Sequence, residues 1–137
     1  MEEIILRVET TVNPTENEEK VKKAIQNIFG SLPLQTQTAH KGCILMVETK
    51  SQEPLLKFKN LLQNEHIRDA SRRALFSGSS EKTIRFCLNK QVAFAGHVSF
   101  SQEEAESPLG PIIVTIKTEN PPGLINWIAP KTLKNRD

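Results

Sequence analysis

The chain has no tyrosine, one tryptophan and only 5% aromatic residues, so a surface that stacks many nucleobases is poorly provided for. It has two cysteines, Cys43 and Cys87, each inside an apolar segment and neither in a CxxC pair. That leaves no zinc or disulfide framework, and buried free thiols are expected. No apolar run approaches the roughly 20 residues that cross a bilayer. Glu2 and Glu3 stand where a secretory signal would carry basic charge, so a soluble cytoplasmic protein without membrane contact is expected. The phosphate-cradling, dinucleotide, zinc-protease and nucleophile-elbow motifs are all missing. His40, His66 and His97 are far apart, and none lies three or four residues from another His or Cys. No catalytic residue, metal ligand set or small-molecule cofactor is read from the chain.

What is present is an ordinary globular balance, 37% hydrophobic and 25% charged over 137 residues. That is the size of one domain with one core. The net charge of +2 hides an asymmetry. From Pro54 to His97 there are eight Lys or Arg against three acidic residues, a local excess of +5. The segment up to Glu53 and the loop Val98 to Gly110 are both net acidic, so a site for a polyanion belongs in the middle of the chain.

Ile4, Leu6, Val8, Thr10 and Val12 alternate as a strand with one buried face. Asn13-Pro14 ends it, and Thr15 with Glu18 has the spacing of a capping box. Val21, Ala24, Ile25, Ile28 and Phe29 form one helical stripe closed by Gly30. Leu34 to Thr38 and Ile44 to Val47 flank a His40-Lys41-Gly42 turn and predict a hairpin. Ser51 can cap a helix carrying Leu55, Phe58, Leu61 and Leu62, and Ile67, Ala70, Ala74 and Leu75 continue it as one kinked helix or a second one. Ile84, Phe86 and Leu88 alternate, Asn89-Lys90-Gln91 turns, and Val92, Phe94, Gly96, Val98 and Phe100 alternate back as an antiparallel partner. Ile112, Val114 and Ile116 make the final strand. Pro121-Pro122-Gly123 then separates a short apolar tail from about residue 120 onward. The class is α+β: an antiparallel or mixed sheet of about five to six strands with helices packed on one face.

The best functional candidate is Arg68 with Arg72, one helical turn apart and able to offer two guanidinium forks to neighbouring phosphates. Arg73 adjoins them, though it can equally pair with Asp69 on a solvated helix face. Lys82, Arg85 and Lys90 follow on the next strand and its turn, so the six cations could converge into one basic patch. Asn89 and Gln91 either contact a ligand or shape the turn. Phe94 and Phe100 mimic base-stacking positions, but their shared parity with Val92 and Val98 assigns them to the buried face. Glu103, Glu104 and Glu106 could hold a divalent cation or form a solvated acidic loop. The tail residues Leu124, Ile125, Trp127 and Ile128 must cover something, either their own sheet or a second subunit.

Several segments together carry a family likeness: Val12-Asn13-Pro14-Thr15-Glu16, Arg68-Asp69-Ala70-Ser71-Arg72, Leu88-Asn89-Lys90-Gln91 and Ser107-Pro108-Leu109-Gly110-Pro111-Ile112. The chain resembles a small, uncharacterised archaeal protein family described as RNA-binding or exosome-associated, and the likeness runs over nearly its whole length. The resemblance implies an α+β fold like that of a large-subunit ribosomal protein, and RNA binding. At His97 this chain lacks the Lys or Arg expected after the preceding glycine, so that position is not carried over as a phosphate contact.

The leading expectation is therefore a non-enzymatic accessory protein that holds phosphates of structured RNA through Arg68, Arg72, Arg73, Lys82, Arg85 and Lys90. The second is an assembly module, a homodimer formed through the final strand or the Trp127 tail, with no nucleic acid. A hydrolase or nuclease using Glu103, Glu104 and Glu106 is third.

Overall fold

The computed structural model describes residues 3–101 and 110–131. Its elements run β1 (Ile5–Val12), α1 (Glu18–Phe29), β2 (Gln35–Thr38), β3 (Cys43–Thr49), α2 (Glu53–Asn64), α3 (Arg68–Ser77), β4 (Thr83–Leu88), α4 (Lys90–Phe94), β5 (Phe100–Ser101), β6 (Ile112–Lys117) and α5 (Pro121–Ile128). The strands form one six-stranded sheet in the order β2-β3-β1-β6-β4-β5. Every neighbouring pair is antiparallel. The α+β expectation holds, with the two strands most distant in sequence, β1 and β6, side by side at the centre.

Register explains why the helices lie on one side. Val8 stands opposite Val47 on β3 and Val114 on β6, and Phe86 on β4 stands opposite the same Val114. Leu6, Val8, Ile84, Leu88, Ile112, Val114 and Ile116 all reach 0% exposure and share a core cluster with side chains from all five helices. Each such side chain contributes roughly 1.5–3 kcal/mol by leaving water. Four of the six phenylalanines line up through that core. Phe29, Phe58, Phe86 and Phe100 have successive ring centroids 5.4, 5.5 and 5.6 Å apart. The opposite parity, with Arg7, Glu9, Glu48, Arg85, Thr115 and Lys117, makes the other face of the sheet.

Several local expectations are corrected. The α1 stripe is buried as read, but its cap is Asn17, whose Oδ1 accepts from the backbone N–H of Glu19 and Lys20 at 2.8 and 3.2 Å. Glu18, expected in the capping box with Thr15, instead accepts the Thr36 hydroxyl at 3.2 Å. Gln52 occupies the cap position of α2, while the Ser51 hydroxyl still accepts from the Glu53 N–H at 3.3 Å. α2 and α3 are two helices, because His66 adopts a positive φ of 57° between them. On α3 the inward positions are Ser71 and Leu75. Ala70 faces solvent.

The largest correction is the strand expected over Val92 to Phe100. Asn89 Oδ1 accepts from Val92 N–H at 2.9 Å and starts the short helix α4. Asn27 on α1 donates to the carbonyls of Ala93 and Phe94, both at 3.0 Å, and so satisfies the far end. Only Phe100 and Ser101 pair as a strand. Phe94, assigned to the buried face by its parity, is 44% exposed. Local capping chemistry overrides an alternating pattern when the run is this short.

The tail is also reassigned. Pro121 and Pro122 occupy the first turn of α5, where a missing N–H costs nothing, and Asn120 caps it through Gly123 N–H at 3.1 Å. Leu124, Ile125 and Ile128 pack into the chain's own core, at 8%, 0% and 0% exposure. In this fold they cover the chain's own sheet, the first of the two expected alternatives, and are not offered to a second subunit. β6 lies between β1 and β4, so both of its hydrogen-bonding edges are taken and it cannot pair with a second copy.

Candidate nucleic-acid interface

The six cations singled out in the sequence do not form one patch. Lys90 is 3% exposed. Its Nζ donates to the Thr11 carbonyl at 2.8 Å and to both Glu16 carboxylate oxygens at 3.0 and 3.2 Å. The buried ammonium is thereby held by acceptors inside the chain, so Lys90 is not offered to a phosphate. Arg85 lies on the parity of β4 that faces away from the helices, opposite Thr115. Lys82 sits at the start of β4, 3.4 Å from the exposed Glu119 carboxylate. Arg68, Arg72 and Arg73 remain together on α3.

Asn89 caps α4 and so shapes the chain as one of its two expected roles required. Gln91 is exposed on the rim of an open groove between the start of α1 and α4, with Lys20 and Phe94 on its walls. The Lys90–Glu16 pair lies beneath. Burial pushes the Glu16 carboxyl upward, but hydrogen bonds from Asn13 and Lys90 and the charge of Lys90 outweigh it. The net effect holds Glu16 below the ordinary value of 4.5.

The α3 arginines meet the end of α5. That helix has no basic residue in its own last turn, although its C-terminal carbonyls carry the negative end of the helix dipole. Neighbouring helices supply the charge. Lys59 on α2 donates to the Trp127 carbonyl at 2.7 Å, and Arg72 donates to the Ala129 carbonyl at 3.1 Å. The same cations cover aromatic rings: Lys59 Nζ lies 5.3 Å from the Trp127 centroid, and the Arg72 guanidinium lies 5.0 Å from that of Phe76. Both rings are exposed, Trp127 by 41% and Phe76 by 38%. Arg73 is exposed and Arg68 half-buried on the same helix. A groove of about 330 Å³ opens beside Trp127, lined by Ile4, Leu55 and Leu124 and by the amides of Gln52 and Asn120.

Among the described residues no cluster of three or more His, Cys, Asp or Glu side chains is placed to hold a metal ion, and the acidic loop Glu103 to Glu106 lies outside the described residues. Cys43 is partly buried and Cys87 buried. Burial and the Glu18 carboxylate push the Cys43 thiol up, the reverse of an activated nucleophile. His97 Nδ1 is 2.7 Å from the Glu65 carboxylate, which also accepts the Val98 N–H. No helix among the described residues is long and apolar enough to cross a membrane.

A family model described as RNA binding matches residues 5–118. The chain belongs to that family. Its relatives carry the name UPF0201 protein. The one from Sulfurisphaera tokodaii is 43% identical over 134 residues, covering 98% of this chain and 91% of the relative. Another, from Pyrobaculum arsenaticum, is 39% identical over 132 residues, covering 96% and 92%. The crystal structure of the UPF0201 protein from Methanococcus jannaschii matches with a TM-score of 0.81 at 36% identity, over 93% of this chain and 94% of that one. The archaeal resemblance carried by the segments quoted above is thus shown. Neither the family description nor these UPF0201 names include an enzymatic activity.

Two members of the α3–α5 surface were missed in the sequence. Phe76 stands four residues after Arg72, a spacing at which helical side chains meet, so that pair was legible. Lys59 and Trp127 are 68 residues apart, and no local pattern joins them.

Proposed function

We propose that the protein is a non-enzymatic RNA-binding protein that contacts phosphates through the α3–α5 surface, with Arg68, Arg72, Arg73 and Lys59 as the phosphate ligands. The observation that carries this reading is the end of α5, where two cations from neighbouring helices lie over exposed aromatic rings and beside two further arginines. Arg72 uses one guanidinium N–H on Ala129, and the planar fork has further donors for a phosphate. Each neutralised phosphate releases condensed counterions, so affinity falls steeply with salt. Lys82 and Arg85 lie off this surface and contribute weakly, and Lys90 contributes nothing.

Arg72 also binds the end of α5, so the cleaner variant is Arg68→Ala with Arg73→Ala. Fluorescence anisotropy with a structured RNA fragment over a salt series should show affinity falling steeply in the native protein. The salt slope should be reduced by about two in the double variant, and Lys82→Ala should stay near native. Native protein that fails to bind RNA at low salt, or a double variant with an unchanged slope, would sink the reading.

A further inference from the structure

The sequence has six phenylalanines, one tryptophan and no tyrosine, too few for a stacking surface of many bases. The fold nevertheless leaves Phe76, Phe94 and Trp127 exposed, and each carries a cation over its ring. Of these, Phe94 and Trp127 line grooves. The groove at Phe94 has the saturated Lys90–Glu16 pair beneath it and only Lys20 as an available cation on its rim. The groove at Trp127 is of similar size but has no charged residue among its lining side chains.

Its walls are apolar where a base presents its faces, through Ile4, Leu55, Leu124 and the indole of Trp127. They are amidic where a base presents its edge, through Gln52 and Asn120. Asn120 uses its side-chain oxygen on the Gly123 N–H, which leaves its NH₂ as a donor for a ligand. The volume of about 330 Å³ lies at the small end of ligand pockets, which span about 300–1,000 Å³, the scale of one nucleoside. Lys59 stands over the indole at 5.3 Å and Arg72 reaches the residue two beyond Trp127, so cations adjoin the groove where flanking phosphates would lie. We infer that the groove beside Trp127 takes a single unstacked nucleobase of RNA, with its ring on the indole and its edge on the Gln52 and Asn120 amides. The inference rests on the RNA reading above and sharpens it: the target is RNA with an unpaired nucleotide, in a loop, a bulge or an end, and uninterrupted duplex is the poorer ligand.

Trp127 is the chain's single tryptophan, so its emission reports on the end of α5, and the duplex control separates base stacking in the groove from phosphate contact at Lys59. The native protein is titrated with a single-stranded oligoribonucleotide, the same strand in a duplex, and AMP. Trp127 emission is followed, and anisotropy of a labelled strand is followed in parallel. Single-stranded RNA should quench the emission, while the duplex should bind more weakly and without quenching. Trp127→Ala should weaken single-strand binding about tenfold, the scale of one lost stacking contact, with duplex binding unchanged. Gln52→Ala, which alters an exposed side chain, should weaken it severalfold and serves as the second variant should Trp127→Ala fail to fold. RNA that binds by anisotropy with Trp127 emission and Trp127→Ala affinity unaltered overturns the groove assignment and leaves the RNA reading standing. AMP that binds as tightly as the strand overturns RNA as the source of the base. No binding of any RNA overturns the reading on which both rest.

Discussion

Two lysines of this chain each reach a backbone carbonyl at the end of a secondary-structure element, and they do opposite things. Lys90 reaches Thr11 near the end of β1, and Lys59 reaches Trp127 near the end of α5, at 2.8 and 2.7 Å. Around Lys90 the chain closes: both Glu16 carboxylate oxygens lie within hydrogen-bond distance of it, Asn13 holds Glu16 in turn, and lysine and carboxylate side chains are 4% and 10% exposed. Around Lys59 it stays open, with an exposed indole under the ammonium and a groove alongside. The first lysine pins α4 and the start of α1 to the sheet. The second serves as a helix cap at an open surface. Formal charge, which counts both equally, says nothing of this division.

The sharpest way to break the comparison is to remove each ammonium while keeping its stem. Lys90→Met should cost about 3–5 kcal/mol, since it strands the Glu16 carboxylate without its buried partner, and urea denaturation measures it. A loss below about 1 kcal/mol would mean that the corner is not a closed ion pair.

Acid should then separate the two regions. Glu16 is held below its ordinary value of 4.5 in the folded chain, so the stability it contributes is fully present above that value. It is lost as pH falls through the lower, folded value. The native urea midpoint should hold from neutral pH to about pH 5 and decline below it. In Lys90→Met the decline should be shallower, because the charge that depresses Glu16 is gone. Identical acid limbs in the two proteins would refute the linkage.

The smallest stability effect belongs to Lys59→Met, about 1 kcal/mol or less for one exposed cation–π contact and one helix-end contact. Its effect should appear in RNA affinity, read by the same anisotropy titration. A stability loss equal to that of Lys90→Met would erase the distinction drawn between the two sites.

Most of the sheet and the α1 stripe were legible because period-two and period-3.6 patterns persist there over enough residues to select one geometry. Val92 to Phe100 misled because its alternation was real while Asn89 offered a cap to the same residues, and a five-residue helix exposes no stripe long enough to compete as a pattern. The arginines of α3 were legible as a local cluster. Lys90 was misread because its acid partner Glu16 lies 74 residues away, and the groove at Trp127 was invisible because Ile4 ahead of β1, α2 and α5 each contribute to it.

The adjacency of β1 and β6 has a kinetic consequence. The bond from the Thr10 hydroxyl to the Pro111 carbonyl spans 101 residues, and the whole β1–β6 ladder closes a loop of that order. The three strands β1, β3 and β2 with α1 can assemble as their residues emerge from the ribosome, but β4 has no place beside them until β6 is made and inserts between β1 and β4. Until then the free edge of β1 is an unprotected template for pairing with other chains. High contact order of this kind makes folding slow relative to helical bundles of the same length. The half-made chain is therefore the species most exposed to aggregation, and the α5 surface is completed only after the sheet has closed.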